Sequence, residues 1–266
     1  MPARHAIPAA DGERVVAVHH APADTGPDGA ADGSPWLVFC HGFLSDKAGS
    51  YEGRCERAAR EGYHAVRFDF RGCGEADGDF VDQTLSDKVA DLRAVLAHFE
   101  PGSVALFGSS FGGKVAFHAA AELAGGGTEG GADGAGTDGA GTDGDATIEA
   151  IATRAPVTYN RTFAAARREV EREGSLTFET GQTIDGRFFD DLERHPFADA
   201  VAAVDCPVLM VHGSEDESVD IADSFEAAGA LETDVLLEKV GSEGHRFSEA
   251  AEQRLRTRLF DWLGTV

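Results

Sequence analysis

The chain reads as an α/β protein with a mostly parallel sheet and helices on both faces. Two observations predict this. Short apolar runs of buried-strand type alternate along the chain with stretches of helical apolar spacing. The 266 residues also suffice for one substantial core. In order, the alternating stretches 4–9 and 14–20 flank Asp11-Gly12, a turn pair, and read as a hairpin. Residues 22–35 are Pro, Gly, Asp and Ala for the most part, a loop composition. Trp36–Cys40 (WLVFC) is a short apolar strand, 47–61 suits a helix and 64–70 a strand. Over 83–99 a helix follows from Leu85, Val89, Leu92, Val95, Leu96 and Phe99, which share one face. A buried strand at 104–107 then leads into an Ala-rich helix at 111–123. After a strand at 148–155, residues 157–200 are less regular: a basic helical stretch (162–173), a hairpin (175–184) and a segment carrying Phe188, Phe189 and Phe197. Alternation resumes with a strand at 208–211, a helix at 219–229, a strand at 234–240 and a closing amphipathic helix at 247–263.

Residues 124–147 break this pattern. The stretch is mostly Gly, Ala, Thr and Asp, and GAGTD occurs twice in succession, at 134–138 and 139–143. With nothing to bury, it is expected to be a disordered surface insertion within a single domain spanning 1–266. A calcium-binding repeat would need a nine-residue period with an apolar residue in each unit. The period here is five, without large apolar residues.

Composition excludes several classes of partner. Asp and Glu total 47 against 23 Lys and Arg, a net charge of −24. Such a chain repels a phosphate backbone, so neither nucleic acid nor an anionic membrane is an expected partner. No run of 18 apolar residues occurs, and the first 30 lack the basic start and apolar core of a secretory leader, which predicts a cytoplasmic protein. The basic residues are 4 Lys and 19 Arg. Acid excess with few lysines resembles the bias of salt-loving organisms that keep salt in their cytoplasm, where a Debye length of ~3 Å near molar salt removes the self-repulsion. Cys40, Cys55, Cys73 and Cys206 form no CxxC pair and no spaced set with histidines, so neither a zinc site nor a disulfide framework is indicated.

The chemistry sits at Gly108-Ser-Ser-Phe-Gly112, a G-x-S-x-G sequence centred on Ser110. Alone the motif is weak in a chain with 33 glycines. Its context is not: an apolar strand precedes it and a helix follows, as a tight strand–turn–helix requires. The flanking glycines leave room for a serine hydroxyl that stands clear of the backbone, and the helix N-terminus points its free N–H groups at it. A serine hydroxyl needs a base. His245, in the loop after strand 234–240, fits. A carboxylate must orient that base, and Asp216, just beyond strand 208–211, fits, with Glu215 and Asp220 as neighbouring acids. Each of the three falls past the carboxyl end of a different strand, where parallel sheets place reactive groups. The developing oxyanion needs two donors. The backbone N–H of Phe111 is the first, and that of Phe43, in the loop after WLVFC, is the second. His41 reads as a structural turn residue.

These stretches resemble an α/β-hydrolase of the serine carboxylesterase and serine-aminopeptidase-like branch, and small feruloyl- or cinnamoyl-type esterases in particular. The resemblance rests on HGFLSDK (41–47), FDFRGCGEADG (68–78), GSSFGG (108–113), HGSEDESV (212–219) and GHRF (244–247), and runs from about 36 to 264. It implies an eight-stranded sheet, a Ser110–His245–Asp216 triad in the family's chain order, and neither metal nor organic cofactor. It also implies a substrate-binding cap between the sixth and seventh strands, here the short stretch 157–196, where Tyr159, Phe163, Phe188 and Phe189 are candidate pocket residues or ordinary core aromatics. The family often carries Ser where Ala76 stands and Pro where Asp220 stands.

The expected activity is hydrolysis of small or medium carboxylic esters. An aminopeptidase or amidase would use the same triad, with Glu169, Glu171 or Glu173 holding the peptide amine. A thioesterase or acyltransferase differs only in the group exchanged, and a non-catalytic binding protein on the same scaffold is a further reading. Deletion of residues 125–145 is expected to leave folding and hydrolysis largely intact, because the segment has no core to contribute. Circular dichroism and an ester assay on the deletion variant check this, and loss of folding would refute it.

Overall fold

The computed structural model describes residues 1–9, 12–22, 33–125 and 146–266. Asp11 of the expected turn, most of the 22–35 loop and nearly all of the 124–147 insertion, including both GAGTD units, lie outside the described residues.

The strands are β1 (Ala3–Pro8), β2 (Arg14–His20), β3 (Trp36–Cys40), β4 (His64–Asp69), β5 (Ser103–Ser109), β6 (Thr147–Arg154), β7 (Ser175–Thr177), β8 (Thr183–Asp185), β9 (Val208–Gly213) and β10 (Val235–Val240). The helices are α1 (Ser50–Arg60), α2 (Leu85–Phe99), α3 (Phe111–Gly125), α4 (Ala164–Glu173), α5 (Gly186–Glu193), α6 (Phe197–Ala203), α7 (Ile221–Ala230) and α8 (Glu249–Leu263). Eight strands form one sheet in the order β1-β2-β4-β3-β5-β6-β9-β10, and β7 with β8 makes a separate two-stranded ribbon. β2 pairs antiparallel with both β1 and β4, and every other pairing in the large sheet is parallel. The architecture is the α/β-hydrolase fold. The parallel strands all present their carboxyl ends at one edge, and that edge collects the residues singled out above.

Side-chain alternation along the buried strands builds a core on each face. Val38, Leu106 and Met210 face one way, against Leu85, Val89 and Leu92 of α2 and Val115 and Phe117 of α3. Their neighbours Leu37, Phe107 and Leu209 face the other, against Cys55 and Ala58 of α1 and Leu255 and Leu259 of α8. Truncating Phe107, which is fully buried, to Ala costs roughly 3–5 kcal/mol by this packing.

Local chemistry explains where elements begin. α1 starts at Ser50 rather than 47. Lys47 is tied down instead: its backbone N–H donates to Asp69 Oδ1 (2.7 Å) and its Nζ to Oδ2 (2.6 Å). Gly49 then takes φ +64°, a left-handed conformation that stops a helix from extending backwards. α2 starts at Leu85 because Thr84 forms a capping box: its hydroxyl accepts from Asp87 N, and the Asp87 carboxylate accepts from Thr84 N (2.8 Å). The irregular 157–200 stretch resolves into a 3-10 turn (Asn160–Phe163), α4, the ribbon, α5 and α6. Phe188, Phe189, Leu192 and Phe197 anchor it to the core beside α3. Among the described residues no helix is long and apolar enough to cross a membrane.

Several histidines are held neutral by burial. Burial, then the nearby His64, His5 and His20, pulls His19 down to about 4. Burial, then Lys114, pulls His118 down to about 3. Burial brings His41 to about 4. Folded values below the ordinary histidine value mean that the unfolded chain binds more protons between pH 6.5 and these lower values. Stability is therefore expected to be full above pH 6.5 and to fall as pH drops toward 4 and then 3. Urea unfolding across pH 4–8 at fixed high salt checks this. His118→Leu removes one of the contributors and should flatten the fall; an unchanged slope would refute the assignment.

Candidate active site

Ser110 occupies the one-residue turn between β5 and α3. It takes φ +54°, a left-handed conformation that is costly for a residue with a side chain. Its surroundings hold it there. Ser110 N donates to Arg154 O (2.9 Å), and Ser110 O accepts from Gly113 N and Val157 N (3.0 Å each). A Cβ on Gly108 would sit 2.4 Å from Gly112 O, and one on Gly112 would sit 2.2 Å from Cys40 O. Both flanking glycines are thus required by close backbone approach, as the motif suggests.

The three residues expected to act together are in hydrogen-bond contact. His245 Nδ1–H donates to Asp216 Oδ2 (2.8 Å), which leaves Nε2 to accept the Ser110 hydroxyl (Nε2–Oγ 3.1 Å). A neutral imidazole in this tautomer is the form a general base needs. Asp216 is buried, and burial opposes its ionisation. Hydrogen bonds from His212, His245 and the Val219 N–H outweigh that and hold its carboxyl well below the usual range. The donors are Ser218 N and Val219 N to Oδ1 (2.9 Å each), and His212 Nε2 (3.1 Å) and His245 to Oδ2. Of the two neighbouring acids, Glu215 points to solvent and Asp220 caps α7 by accepting from Ala222 N (2.9 Å).

His212, the penultimate residue of β9, is a further member of the site. It is fully buried, and its Nε2–H is shared between Asp216 Oδ2 and Val219 O (3.0 Å), while Nδ1 accepts the Ser224 hydroxyl (2.8 Å). Its spacing of four from Asp216 was visible in HGSEDESV; that the turn brings the two together was not.

The loops carrying these groups are stitched to each other. Ser214 N donates to Val240 O (2.8 Å) and Glu215 N to Glu243 O (2.9 Å). Gly213 lets them cross, since a Cβ there would lie 2.3 Å from Glu243 O. On the other side, His41 is the turn residue expected. Its Nδ1–H donates to Gly42 O (2.8 Å), and its Nε2 accepts from Phe70 N (3.2 Å), fixing the loop that carries Phe43. Gly42 packs against the Ser110 turn, a Cβ there lying 3.5 Å from Ser110 Cβ. Among the described residues no backbone acceptor outside regular elements engages the N–H of Phe43, and that of Phe111, first in α3, precedes the helical ladder.

A cleft of about 760 Å³ opens over Ser110 and His245. Its remaining walls come from the loop 42–51, Arg154, Ser218, Arg246, Phe247 and Glu252. The four aromatics expected at a pocket do not line it. Phe188 and Phe189 are core residues, and Tyr159 and Phe163 pack on that core. Phe163 and Phe188 instead meet the rings of Phe43 (centroids 5.3 and 5.0 Å) and Phe111 (5.7 and 5.8 Å), packing aromatically on the residue after Ser110. Tyr159 meets Phe197 edge to face, with ring centroids 5.4 Å apart. Glu169, Glu171 and Glu173 lie on the outer face of α4, paired with Arg172 or Arg167, away from the cleft. The four cysteines are free and buried.

Comparisons with known proteins give the family. A family model described as the alpha/beta hydrolase family matches residues 37–256, and the chain belongs to that family. It is 27% identical over 250 residues to palmitoyl-protein thioesterase ABHD10, mitochondrial, of Mus musculus, covering 88% of this chain and 77% of that protein. The solved structure of alpha/beta hydrolase domain-containing protein 10 from mouse matches with TM-score 0.78 and 21% identity over 99% of each chain. Est1E from Butyrivibrio proteoclasticus, with ferulic acid bound, matches with TM-score 0.77 and 18% identity over 98% of this chain and 100% of that one. The chain is a hydrolase of this family.

The close approach at Gly112 gives a direct test of the site. Gly112→Ala must displace the Cys40–His41 backbone and, with it, the Phe43 N–H. We expect a fall in turnover of about a hundredfold, as for a misplacement near 1 Å, and a stability loss of ~1–3 kcal/mol. Ester kinetics and thermal unfolding check both; unchanged kinetics would show that the loop does not bear on the reaction.

Proposed function

We propose that the protein is a serine hydrolase that cleaves small or medium carboxylic esters through an acyl-enzyme on Ser110. The observation that carries this reading is the continuous hydrogen-bond relay from Asp216 through His245 to Ser110 at 2.8 and 3.1 Å. Ser110 Oγ attacks the carbonyl carbon as its proton passes to His245 Nε2. The carbonyl oxygen becomes an oxyanion, held by the N–H groups of Phe43 and Phe111. Asp216 stays ionised and stabilises the imidazolium. The tetrahedral species collapses, the carbon–oxygen bond to the alcohol breaks, and His245 returns its proton to the leaving oxygen. Water then attacks the acyl carbon, giving its proton to His245; the bond from that carbon to Ser110 Oγ breaks, His245 returns the proton to Oγ, and the acid is released.

A second reading, a thioesterase, is favoured by one specific observation: the mouse relative is named a palmitoyl-protein thioesterase. The steps are the same with a thiolate as leaving group. An aminopeptidase loses its support, because the three candidate amine-binding glutamates are engaged elsewhere. In this reading residues 157–196 serve as a short cap. The charge of −24 and the excess of Arg over Lys support a salt-rich cytoplasm as the working environment.

The test is hydrolysis of p-nitrophenyl esters from C2 to C12, and of the matching acyl thioesters, at 0.1 M and molar KCl. Ser110→Ala should lose turnover on the order of a millionfold, in practice to background. The aromatic wall predicts an optimum among the shorter acyl chains. Equal rates in wild type and Ser110→Ala would overturn the proposal.

A further inference from the structure

The cleft over Ser110 holds a positive charge that its neighbours leave only partly matched. Arg154 ends β6, and its side chain is 14% exposed. Its backbone carbonyl accepts from Ser110 N, so the residue stands directly beside the candidate nucleophile. Its guanidinium approaches Glu252 Oε1 at 3.5 Å, and its Cζ lies 5.6 Å from the Phe247 ring centroid. Glu252, however, is already engaged: Arg54 Nη2 donates to both of its oxygens, at 2.7 and 2.8 Å. Among the described residues Arg154 Nε is buried without a hydrogen-bond partner. Two further carboxylates belong to the site. Asp216 accepts four hydrogen bonds, and Asp46 accepts from Ala48 N (2.7 Å). Arg246 adds a further cation to the wall. A buried arginine, Arg54, and the largely buried Arg154 thus share one carboxylate at the cleft, in a chain that carries about twice as many acids as bases.

Position in the reaction gives this charge a task. His245 must return a proton to the leaving atom, so the leaving group lies on its side. His245 and the two residues after it line the cleft together with Arg154. Phe111, the residue after Ser110, packs instead against Phe163 and Phe188, neither of which lines the cleft. We infer that Arg154 is a specificity residue that binds an anionic group, a carboxylate or a phosphate, on the leaving-group side of the substrate. The inference rests on the acyl-enzyme reading and names the substrate class for it: esters or thioesters whose alcohol or thiol carries an anion. A guanidinium with open donors matches such an oxyanion in its planar fork, and a sheltered site screens that contact less than the surface, even at high salt.

The experiment compares kcat/KM for 4-acetoxybenzoate, its neutral methyl ester and 4-acetoxyphenyl phosphate, in wild type, Arg154→Met and Arg154→Lys. Wild type should favour an anionic substrate over the methyl ester by roughly 10–100-fold, mostly through KM. Whichever anion is preferred separates carboxylate from phosphate. Arg154→Met should abolish the preference, read as the ratio of anionic to methyl-ester kcat/KM within each variant, and Arg154→Lys should restore part of it. Two results overturn the inference: no preference in wild type, or a Met variant that melts lower and loses all three substrates in the same proportion, which is the behaviour of a tether between β6 and α8. Calorimetric binding of 4-hydroxybenzoate and of its methyl ester, to wild type and Arg154→Met, provides a readout independent of turnover. Should no ester be hydrolysed while 4-hydroxybenzoate binds through Arg154, the reaction fails and the anion site stands. Equal binding of acid and ester removes the anion site.

Discussion

A single backbone constraint organises this molecule: the chain must turn from β5 into α3 within one residue, at Ser110. That residue adopts φ +54°, which costs on the order of 1–3 kcal/mol for a non-glycine. Such strain persists only when the surroundings fix it from several directions. Here the Ser110 N–H is held by Arg154 O on β6, and its carbonyl by Gly113 and Val157. Gly108 and Gly112 let β5, α3 and the loop after β3 approach more closely than any side chain would permit. The sheet supplies the rigidity. β5 lies between β3 and β6, whose carboxyl ends deliver the Phe43 loop and Arg154 to either side of the serine.

Buried polar contacts then fix the loops that the sheet only brings near. Asp216 is the centre of one set, accepting from two backbone N–H groups and two imidazoles. The carboxylate is committed as an anion because its lone pairs are filled by donors, and a committed anion orients His245. Asp69 is the centre of another, holding the Lys47 backbone, the Lys47 ammonium (which also meets Glu75 at 2.5 Å) and Glu75 N (2.9 Å). That set anchors the segment that forms one wall of the cleft. His41, kept neutral by burial, links the same loop to the end of β4 through Phe70 N. Isolated charges at such depth would be destabilising; saturated networks define one geometry instead.

The two sides of Ser110 differ in kind. Phe111 of α3 packs with Phe163 and Phe188 of the 157–196 segment, whereas Phe43 of the β3 loop joins two arginines and a glutamate in lining the open cleft. The structural match to Est1E extends to the whole fold at 18% identity, and a likeness of that order speaks to the fold alone. Substrate choice is written in the side chains around the serine, and those come from segments far apart in the chain.

Much of this was legible in the sequence. The alternation of apolar runs with helical faces determined the sheet with helices on both faces, since burial on two sides demands continuous apolar strands. The G-x-S-x-G context located Ser110, and strand ends located His245 and Asp216, because a parallel sheet gathers its carboxyl ends whatever the loop details. Helix starts were off by a few residues where a long-range contact decided them, as at Lys47, which bonds to Asp69 22 residues on. Only the tertiary structure decided what surrounds the serine. Phe163 and Phe188 have the composition of pocket residues, and their packing on Phe43 and Phe111 makes them a wall. His212 reads as one more strand residue until the turn after β9 folds Asp216 back onto it. Arg154 shows no pattern in sequence; its partner Glu252 lies 98 residues away, and Arg54, the competitor for that carboxylate, lies 100 residues before it. Local propensity and periodicity act over a few residues, whereas charge matching and ring packing depend on which distant segments the sheet brings together.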